Sequence, residues 1–451
     1  MSTALVILAA GKGTRMNSDL PKVLHPIGQA PMLAHALHAG RALDPDMTVV
    51  VAGHGAEQVE NALSELDDTA KIVLQTEQLG TAHAVAQARA ALDGFHGDVI
   101  ILYGDTPFIQ AQTLDAMRAA RANADVVILG FHAVDPGRYG RLVMDGSELL
   151  KIVEFKDATD EERHINLCNS GLVCCDKDTL FDLIDAVGND NASGEYYLTD
   201  IVEIARTKGL TATAVTCDEA ETLGINSRAE LAKAEAIFQT RARAQLLEDG
   251  VTLMAPDTVH LSLDTVIGRD SVIEPNVVFG PNVTVESGVQ IRAFSHLEGC
   301  HISRGSIIGP YARLRPGTEL AEDTKIGNFV ELKNATLAAG AKVNHLSYIG
   351  DAEIGAESNI GAGTITCNYD GVMKHKTHIG EAVFIGSNTM LVAPVRIGDR
   401  AMTGSGSVIT KDVEPGALAL ARGQQTNKPG AAVRLMELLK FKKKQKDTGK
   451  S

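Results

Sequence analysis

After the apolar run that ends at Leu8 the chain reads Leu8-Ala9-Ala10-Gly11-Lys12-Gly13-Thr14-Arg15-Met16, with Leu20-Pro21-Lys22 close behind. A glycine-rich turn of this kind lets backbone N–H groups approach phosphate oxygens, and Arg15 and Lys22 supply cations to neutralise them. Neither common nucleotide loop is present. A dinucleotide fingerprint wants a third glycine where Met16 stands, and a P-loop wants Gly-Lys-Ser/Thr after four spacer residues. The same residues would also serve an ordinary strand-to-helix turn. Much later, His345 stands in Asn344-His345-Leu346-Ser347-Tyr348, with Glu331, Lys333 and Asn359 at neighbouring levels of a repeat. A neutral imidazole suits removal of a proton from an amine attacking a thioester, although a lone histidine on a solenoid is more often structural. Asn368-Tyr369-Asp370-Gly371 and Lys374 fall in a polar interruption of that repeat, from Thr364 to His378. Such interruptions usually carry function.

The elements that must hold these residues divide into two kinds. Up to about residue 226, strand-like runs at Leu5 to Leu8, Thr48 to Ala52, Ile72 to Leu74, Val99 to Tyr103 and Val126 to Phe131 alternate with helix-like stretches. That rhythm predicts an α/β, doubly wound, Rossmann-like sheet with mostly parallel strands. Ligands of such sheets sit beyond the carboxyl ends of the strands, which singles out Gly11, Gln75 and Asp105 by position alone. Asp105 would otherwise cap the turn at its strand end. From 227 to 249 the pattern is one helix: Ser227 and Glu230 make a capping box, Leu231, Ala234, Ile237 and Phe238 share a face, and Gly250 follows.

Beyond that connector, aliphatic residues recur every six positions: Ile267, Ile273, Phe279, Val285, Ile291, Leu297, then, one residue out of register, Ile302, Ile308, Leu314, Leu320, Ile326 and Leu332. The pattern resumes at Leu337, at Ile354 and, past the interruption, at Ile379. A period of six fits neither a helix nor a free alternating strand, but it fits a parallel β-helix whose short strands each turn one aliphatic residue inward. Glycines just after these positions, as in Ile267-Gly268, Ile308-Gly309, Ile326-Gly327, Ile360-Gly361 and Ile385-Gly386, are expected to make the tight corners. The expected division is 1–226, a connecting helix 227–250, and 251–451. The lysine-rich tail from Lys440 reads as a solvated, disordered end.

The glycine-rich turn, Gln75, Leu79-Gly80-Thr81-Ala82, Leu102-Tyr103-Gly104-Asp105-Thr106-Pro107 and Tyr139-Gly140-Arg141, in this order, closely resemble the sugar-phosphate nucleotidyltransferases. The resemblance implies that Leu8, Ala9, Ala10, Gly11, Lys22, Tyr103 and Gly104 line a UTP and UDP-sugar site, with Arg15 and Lys22 catalytic. It further implies Mg²⁺ on Asp105 and Asn226, uracil contacts from Gln75, Gly80 and Thr81, and a sugar pocket of Gly140, Glu154 and Asn169. The second half carries Arg313-Leu314-Arg315-Pro316-Gly317, Phe329 to Lys333, His345 to Asp351, and Gly361 to Gly371. These are similar to the acetyltransferase half of the bifunctional N-acetylglucosamine-1-phosphate uridyltransferase/glucosamine-1-phosphate acetyltransferases, whose fold is a left-handed β-helix. By that match His345 is the general base, and Arg315, Lys333, Tyr348, Asn359 and Lys374 bind the amino-sugar phosphate. Ala362, Asn368, Tyr369, Ser387, Ser405 and Arg422 meet acetyl-CoA; the segment Thr403 to Ser407 departs most from the family pattern. A homotrimer with shared acetyl-CoA clefts is implied, as is a product that feeds peptidoglycan and lipopolysaccharide precursors.

Composition narrows the alternatives. With 57 Asp+Glu against 42 Lys+Arg and a net charge of -15, the chain has the wrong sign for general nucleic-acid binding. No run approaches the length of a membrane span. The apolar start lacks a basic leading segment and continues into the glycine turn, so a first strand is expected rather than a signal peptide, and a cytoplasmic location with it. Six cysteines without a Cys-x-x-Cys pair suggest reduced thiols. Three rival readings stand beside the main one: a monofunctional nucleotidyltransferase with a structural or regulatory β-helix, a zinc enzyme built on His296 and His301, and a noncatalytic scaffold.

Overall fold

The computed structural model describes residues 2–448, so Met1 and tail residues 449–451 lie outside the described residues. The chain forms two compact units, residues 1–266 with 278–283, and residues 267–277 with 284–451.

The first unit is built on a nine-stranded sheet. Its strands are β1 (Thr3–Ala9), β2 (Met47–Ala52), β3 (Lys71–Leu74), β4 (Asp98–Tyr103), β5 (Val126–His132), β6 (Arg141–Asp145), β7 (Glu148–Val153), β8 (Leu167–Asp176) and β9 (Ala212–Cys217). The main path runs β9-β5-β8-β4-β1-β2-β3, with the β6–β7 hairpin attached beside β8. Ala4, Val6 and Leu8 enter one buried layer while Leu5, Ile7 and Ala9 enter the other. Helices cover both faces, which is why β1 is apolar without interruption from Ala4 to Ala9.

Along the main path one strand departs from the parallel rhythm. β8 runs antiparallel to both β4 and β5, with a register shift between Asn169 and Val173. The run Asn169-Ser170-Gly171 breaks its apolar pattern and hides it in the sequence. Its reversed direction sets Asn169 opposite Gly130, near the carboxyl end of β5 and so on the ligand edge of the sheet.

The helix Arg228–Glu248 begins where expected, with Ser227 Oγ accepting the Glu230 N–H at 3.3 Å. The capping box is only half made, because the Glu230 carboxylate takes the N–H of Asn226 at 2.7 Å instead of that of Ser227. Ala234 is buried with Ile27, Met32, Phe108 and Ile225, and Leu231, Ile237 and Phe238 pack around them. The helix is thus part of the first unit's core.

The second unit is a parallel β-helix. Ile273, Ile291, Ile308, Ile326, Val343, Ile360 and Ile385 are successive strand neighbours and all are buried. Its corners differ from the expectation. Among the glycines that follow inward residues, Gly309 alone of the five named has positive φ, at 89°. The others are glycine because the next coil lies against them: a Cβ on Gly327 would run into the Asn344 carbonyl oxygen. The left-handed turn falls later, at the third residue after the inward one, as at Phe294, Tyr311, Phe329 and Leu346. Where the period slips by one, the left-handed residue is already the second, at Gly299, Asn334 and Asp351. A shortened corner therefore causes the register shift. The tail also departs from expectation: Ala431–Thr448 is a helix with Val433, Leu435, Met436, Leu438 and Leu439 exposed. No described helix is long and apolar enough to cross a membrane.

Candidate active sites

In the first unit a cavity of about 280 Å³ opens at the carboxyl edge of the sheet, lined by Leu8, Ala9, Ala10, Gly11, Lys22, Gln75, Gly80, Thr81, Tyr103 and Asp105, and by Val23, Gln78, Ala84 and Glu195. Lys22 Nζ donates to Asp105 Oδ2 and, at 3.1 Å, to Asn226 Oδ1. Residues from three distant parts of the chain thus converge on one cation. The pairing is built into the sheet, since Asp105 follows β4 and the Ile225 N–H donates to its carbonyl at 3.1 Å. Gln75, buried beyond β3, is fixed by Nε2 contacts to the Gly80 carbonyl and His83 Nδ1, both at 3.1 Å. Gly80 has φ 122°, and a Cβ there would strike the Tyr196 backbone. The Ala82 N–H donates to Tyr196 O at 3.0 Å and the Tyr196 N–H to Leu79 O at 2.8 Å, so residues 195–197 strap the cavity wall.

Glu154 belongs to an adjoining cavity of about 430 Å³ with Arg138, Phe155, Lys156, Ser193 and Tyr197. Gly140 faces it: a Cβ there would lie 3.3 Å from Glu154 Oε1 and 3.6 Å from Asn169 Cβ. These three predicted sugar residues are together. Burial, ahead of the Asp157 and Asp200 charges, pushes the Glu154 carboxyl above the usual range despite the Thr199 hydroxyl. Burial first, then Asp105 and Glu154, raises the phenol of Tyr103, which lines the first cavity. Gly104 packs beneath, facing Val23 and the Leu8 carbonyl. Arg15 is exposed and outside the cavity lining.

In the second unit the expected residues fall on two corners and one face. His345, Ala362, Ser387 and Ser405 each stand two residues beyond an inward position, Val343, Ile360, Ile385 and Thr403, which are strand neighbours in that order. They therefore form one column, and Arg422 joins its upper end by donating to the Ser405 carbonyl at 2.8 Å. His345 Nδ1 lies 2.7 Å from Asn328 Oδ1. With an amide oxygen as acceptor the ring carries its proton on Nδ1, leaving the Nε2 lone pair free. Phe294 stacks on Tyr311 with centroids 4.9 Å apart, and Tyr311 on Phe329 at 5.2 Å, making an exposed aromatic ladder that leads up to Leu346 beside His345.

The corner at Gly350 and Asp351, within the Tyr348–Ile354 strand, carries the cations, with Lys333 the strand neighbour of Gly350. The Lys374 ammonium beside it, and then Arg315, holds Lys333 below the usual lysine range. Arg315 also pairs with Glu331 at 2.8 Å. Lys374 is delivered by the interruption, a tight loop in which Asp370 accepts from His375 at 2.7 Å and from the Val372 and Met373 N–H groups. Those contacts hold Asp370 down at about 2. Asp351 anchors the loop's base, accepting from Asn334 Nδ2 at 2.6 Å and from Asn368 Nδ2. Burial alone would raise its carboxyl, but the two amides and the Lys374 and Lys333 charges outweigh that and hold it low. Tyr369 is exposed, and its hydroxyl donates to the Gly371 carbonyl. Asn359 is set apart on another face, with Lys342 and Phe384 as strand neighbours. His301 lies between Glu286 and Glu319 at 3.4 and 3.6 Å, and His296 beside Arg313 on a different strand. Among the described residues no cluster of three or more His, Cys, Asp or Glu suits a metal.

Several site residues were not singled out from the sequence. Gln78 and Glu195 line the first cavity; the run Gly194-Glu195-Tyr196-Tyr197 was a visible but unused signal. Asn328 carries no motif, and its only signal is its place one coil below His345.

The MobA-like NTP transferase domain profile matches residues 5–163. The bacterial transferase hexapeptide (six repeats) profile matches 264–299 and 376–411, in keeping with a left-handed β-helix. Bifunctional protein GlmU of Ruegeria pomeroyi is 72% identical over 450 residues, covering 99% of this chain and 100% of its own. The GlmU of Ruegeria sp. (strain TM1040) is 71% identical over 449 residues, covering 100% of both chains. That of Paracoccus denitrificans is 62% identical over 440 residues, covering 98% of both. A solved UDP-glucose pyrophosphorylase complexed with UDP-glucose aligns with 53% of this chain and 100% of its own, at 16% identity and a TM-score of 0.44. Identity of that extent over the whole length of both partners places the chain in the bifunctional GlmU family, whose acetyl transfer to glucosamine 1-phosphate and uridylyl transfer to N-acetylglucosamine 1-phosphate together make UDP-N-acetylglucosamine.

Proposed function

We propose that uridylyl transfer takes place in the cavity around Lys22 and acetyl transfer at the His345 corner, with 1–226 the nucleotidyltransferase part, 227–250 a connecting helix and 251–451 the acetyltransferase part. The observation that carries the first assignment is the Lys22 ammonium gripped by both Asp105 and Asn226. Two hard oxygens turned toward one cation also suit Mg²⁺, an ion that takes few protein ligands and completes its shell with water and phosphate. Bound to Asp105 and Asn226, it would offset charge on the triphosphate. The remaining work falls to the chain. Gln75, Gly80 and Thr81 hold the uracil, the backbone from Leu8 to Gly11 follows the phosphates, and Gly140, Glu154 and Asn169 hold the sugar. Lys22 and Arg15 balance charge as a phosphate oxygen of the sugar 1-phosphate attacks the α-phosphorus of UTP and pyrophosphate leaves. No covalent intermediate is needed, so the catalytic demand is positioning.

At the second site Arg315, Lys333, Tyr348, Asn359 and Lys374 hold the amino-sugar phosphate. The crowding of Lys333 and Lys374 is a reason for a dianion to bind there. Ala362, Asn368, Tyr369, Ser387, Ser405 and Arg422 hold acetyl-CoA. The amine attacks the thioester carbonyl, His345 Nε2 takes its proton, and the CoA thiol leaves. Because the His345 column and the cation cluster occupy different corners of one chain, and Asn359 lies on another face than the cations, we take the working form to be a homotrimer with clefts shared between neighbours. A cytoplasmic enzyme feeding cell-wall precursors follows from this reading. Purified protein with glucosamine 1-phosphate, acetyl-CoA, UTP and Mg²⁺, followed by mass spectrometry, should yield both products in sequence. Analytical ultracentrifugation under the same conditions should give a trimer; a fully active monomer would refute the shared cleft.

A further inference from the structure

We infer that the first turn of the helix Arg228–Glu248 sets the geometry of uridylyl transfer, with Arg228 and Glu230 as positioning residues. The inference rests on the reading of Lys22, Asp105 and Asn226 given above. Glu230 Oε2 accepts the backbone N–H of Asn226 at 2.7 Å. Arg228 donates from Nε to the Met16 carbonyl and from Nη1 to His25 Nδ1, each at 3.2 Å. Met16 closes the short turn that carries Arg15, and His25 directly follows the short turn Lys22–Leu24. One arginine therefore ties the short turn that carries Arg15 to the one that carries Lys22. Residues two apart on a helix do not face each other, so Arg228 and Glu230 reach different partners.

The neighbouring pieces are stacked tightly enough for such ties to matter. Gly13, at φ 55°, presses on Lys22, where an added Cβ would lie 2.7 Å from the lysine Cβ. His25 is buried, and because guanidinium can only donate, its Nδ1 is the acceptor. Burial, and then the Arg228 charge, keeps its imidazole below the ordinary range, against the pull of the Leu20 carbonyl. Two turns further on, Glu235 accepts the Gly28 N–H at 2.8 Å, a tether of similar kind that touches none of the reacting residues.

The test uses the full chain with Arg228→Gln, Glu230→Ala and, as a purely structural comparison, Glu235→Ala. In the first two, kcat for uridylyl transfer should fall roughly 10- to 10²-fold, the usual result of a misplacement near 1 Å. KM for UTP should stay within about threefold, because Gln75, Gly80 and Thr81 are untouched, and acetyl transfer should be unchanged. Arg228→Lys, which keeps one donor, should recover part of the loss. Glu235→Ala should lower the melting temperature without that fall in kcat. Parental kcat in Arg228→Gln and Glu230→Ala would overturn the inference, as would a loss that tracks melting temperature across all variants. Asp105→Ala run alongside separates the two failures: if it is active the site reading itself is wrong, and if it is inactive while the positioning variants are not, only this inference falls.

Discussion

The contact between His345 and Asn328 makes a prediction that a lone histidine motif could not. The Nδ1–Oδ1 distance of 2.7 Å fixes which nitrogen carries the proton and which way the ring faces. Replacing Asn328 by Ala removes one hydrogen bond, worth about 1 kcal/mol. If that energy serves only to hold the productive tautomer and rotamer, acetyl transfer falls by a factor of roughly 5. His345→Ala, which removes the base itself, should cost roughly 10²–10⁴. Asn328→Asp tests the sign of the electrostatics. A carboxylate beside the ring favours the imidazolium, which cannot accept a proton, so the rate falls at neutral pH and recovers as pH is raised. The assay follows free CoA thiol at saturating glucosamine 1-phosphate between pH 6 and pH 9, with uridylyl transfer as an internal control. An unmoved pH profile in Asn328→Asp, together with parental activity in Asn328→Ala, would refute the orienting role. Loss of both activities with a lower melting temperature would make His345 and Asn328 structural residues.

Asp105→Ala should abolish uridylyl transfer even in excess Mg²⁺ while acetyl transfer survives, and normal uridylyl transfer by this variant would contradict the assignment. Lys374→Met relieves the repulsion with Lys333, so the ligand-free protein should melt no lower than the parent while KM for glucosamine 1-phosphate rises about tenfold or more; a lower melting temperature with unchanged KM would argue against a phosphate site. The depressed Asp351 carboxyl contributes stability that is complete above its ordinary value, 3.8, and disappears as pH falls through the lower folded value. Acid unfolding followed by circular dichroism should therefore be less steep in Asp351→Asn than in the parent, and identical slopes would contradict the linkage. A chain ending at 226 loses the helix face that covers Ile27, Met32 and Phe108, so it should melt lower than one ending at 250, measured by calorimetry; equal melting temperatures would mean the helix adds nothing to the first unit.

Much of the architecture is written in local periodicity. Residues such as Val6 and Ile7 must point to opposite faces of a strand, so an unbroken apolar run announces a sheet covered on both sides. A period of six similarly announces the solenoid. Position beyond a strand end was enough to nominate Gly11, Gln75 and Asp105, since a parallel sheet offers its ligand edge there. Tertiary structure decided what depends on neighbours distant in sequence. The reversed direction of β8, which brings Asn169 to that edge, follows from pairing with β4 and β5 and leaves no mark in a run broken by Asn169-Ser170-Gly171. Gly327 is glycine because of Asn344 on the next coil, and spacing cannot distinguish that from a turn. Lys22 meeting Asp105 and Asn226, Asn328 meeting His345, and Lys374 meeting Lys333 are likewise matters of three-dimensional closure. Side-chain chemistry and spacing nominate residues one at a time, and hydrogen bonds between coils and loops determine which of them can act together.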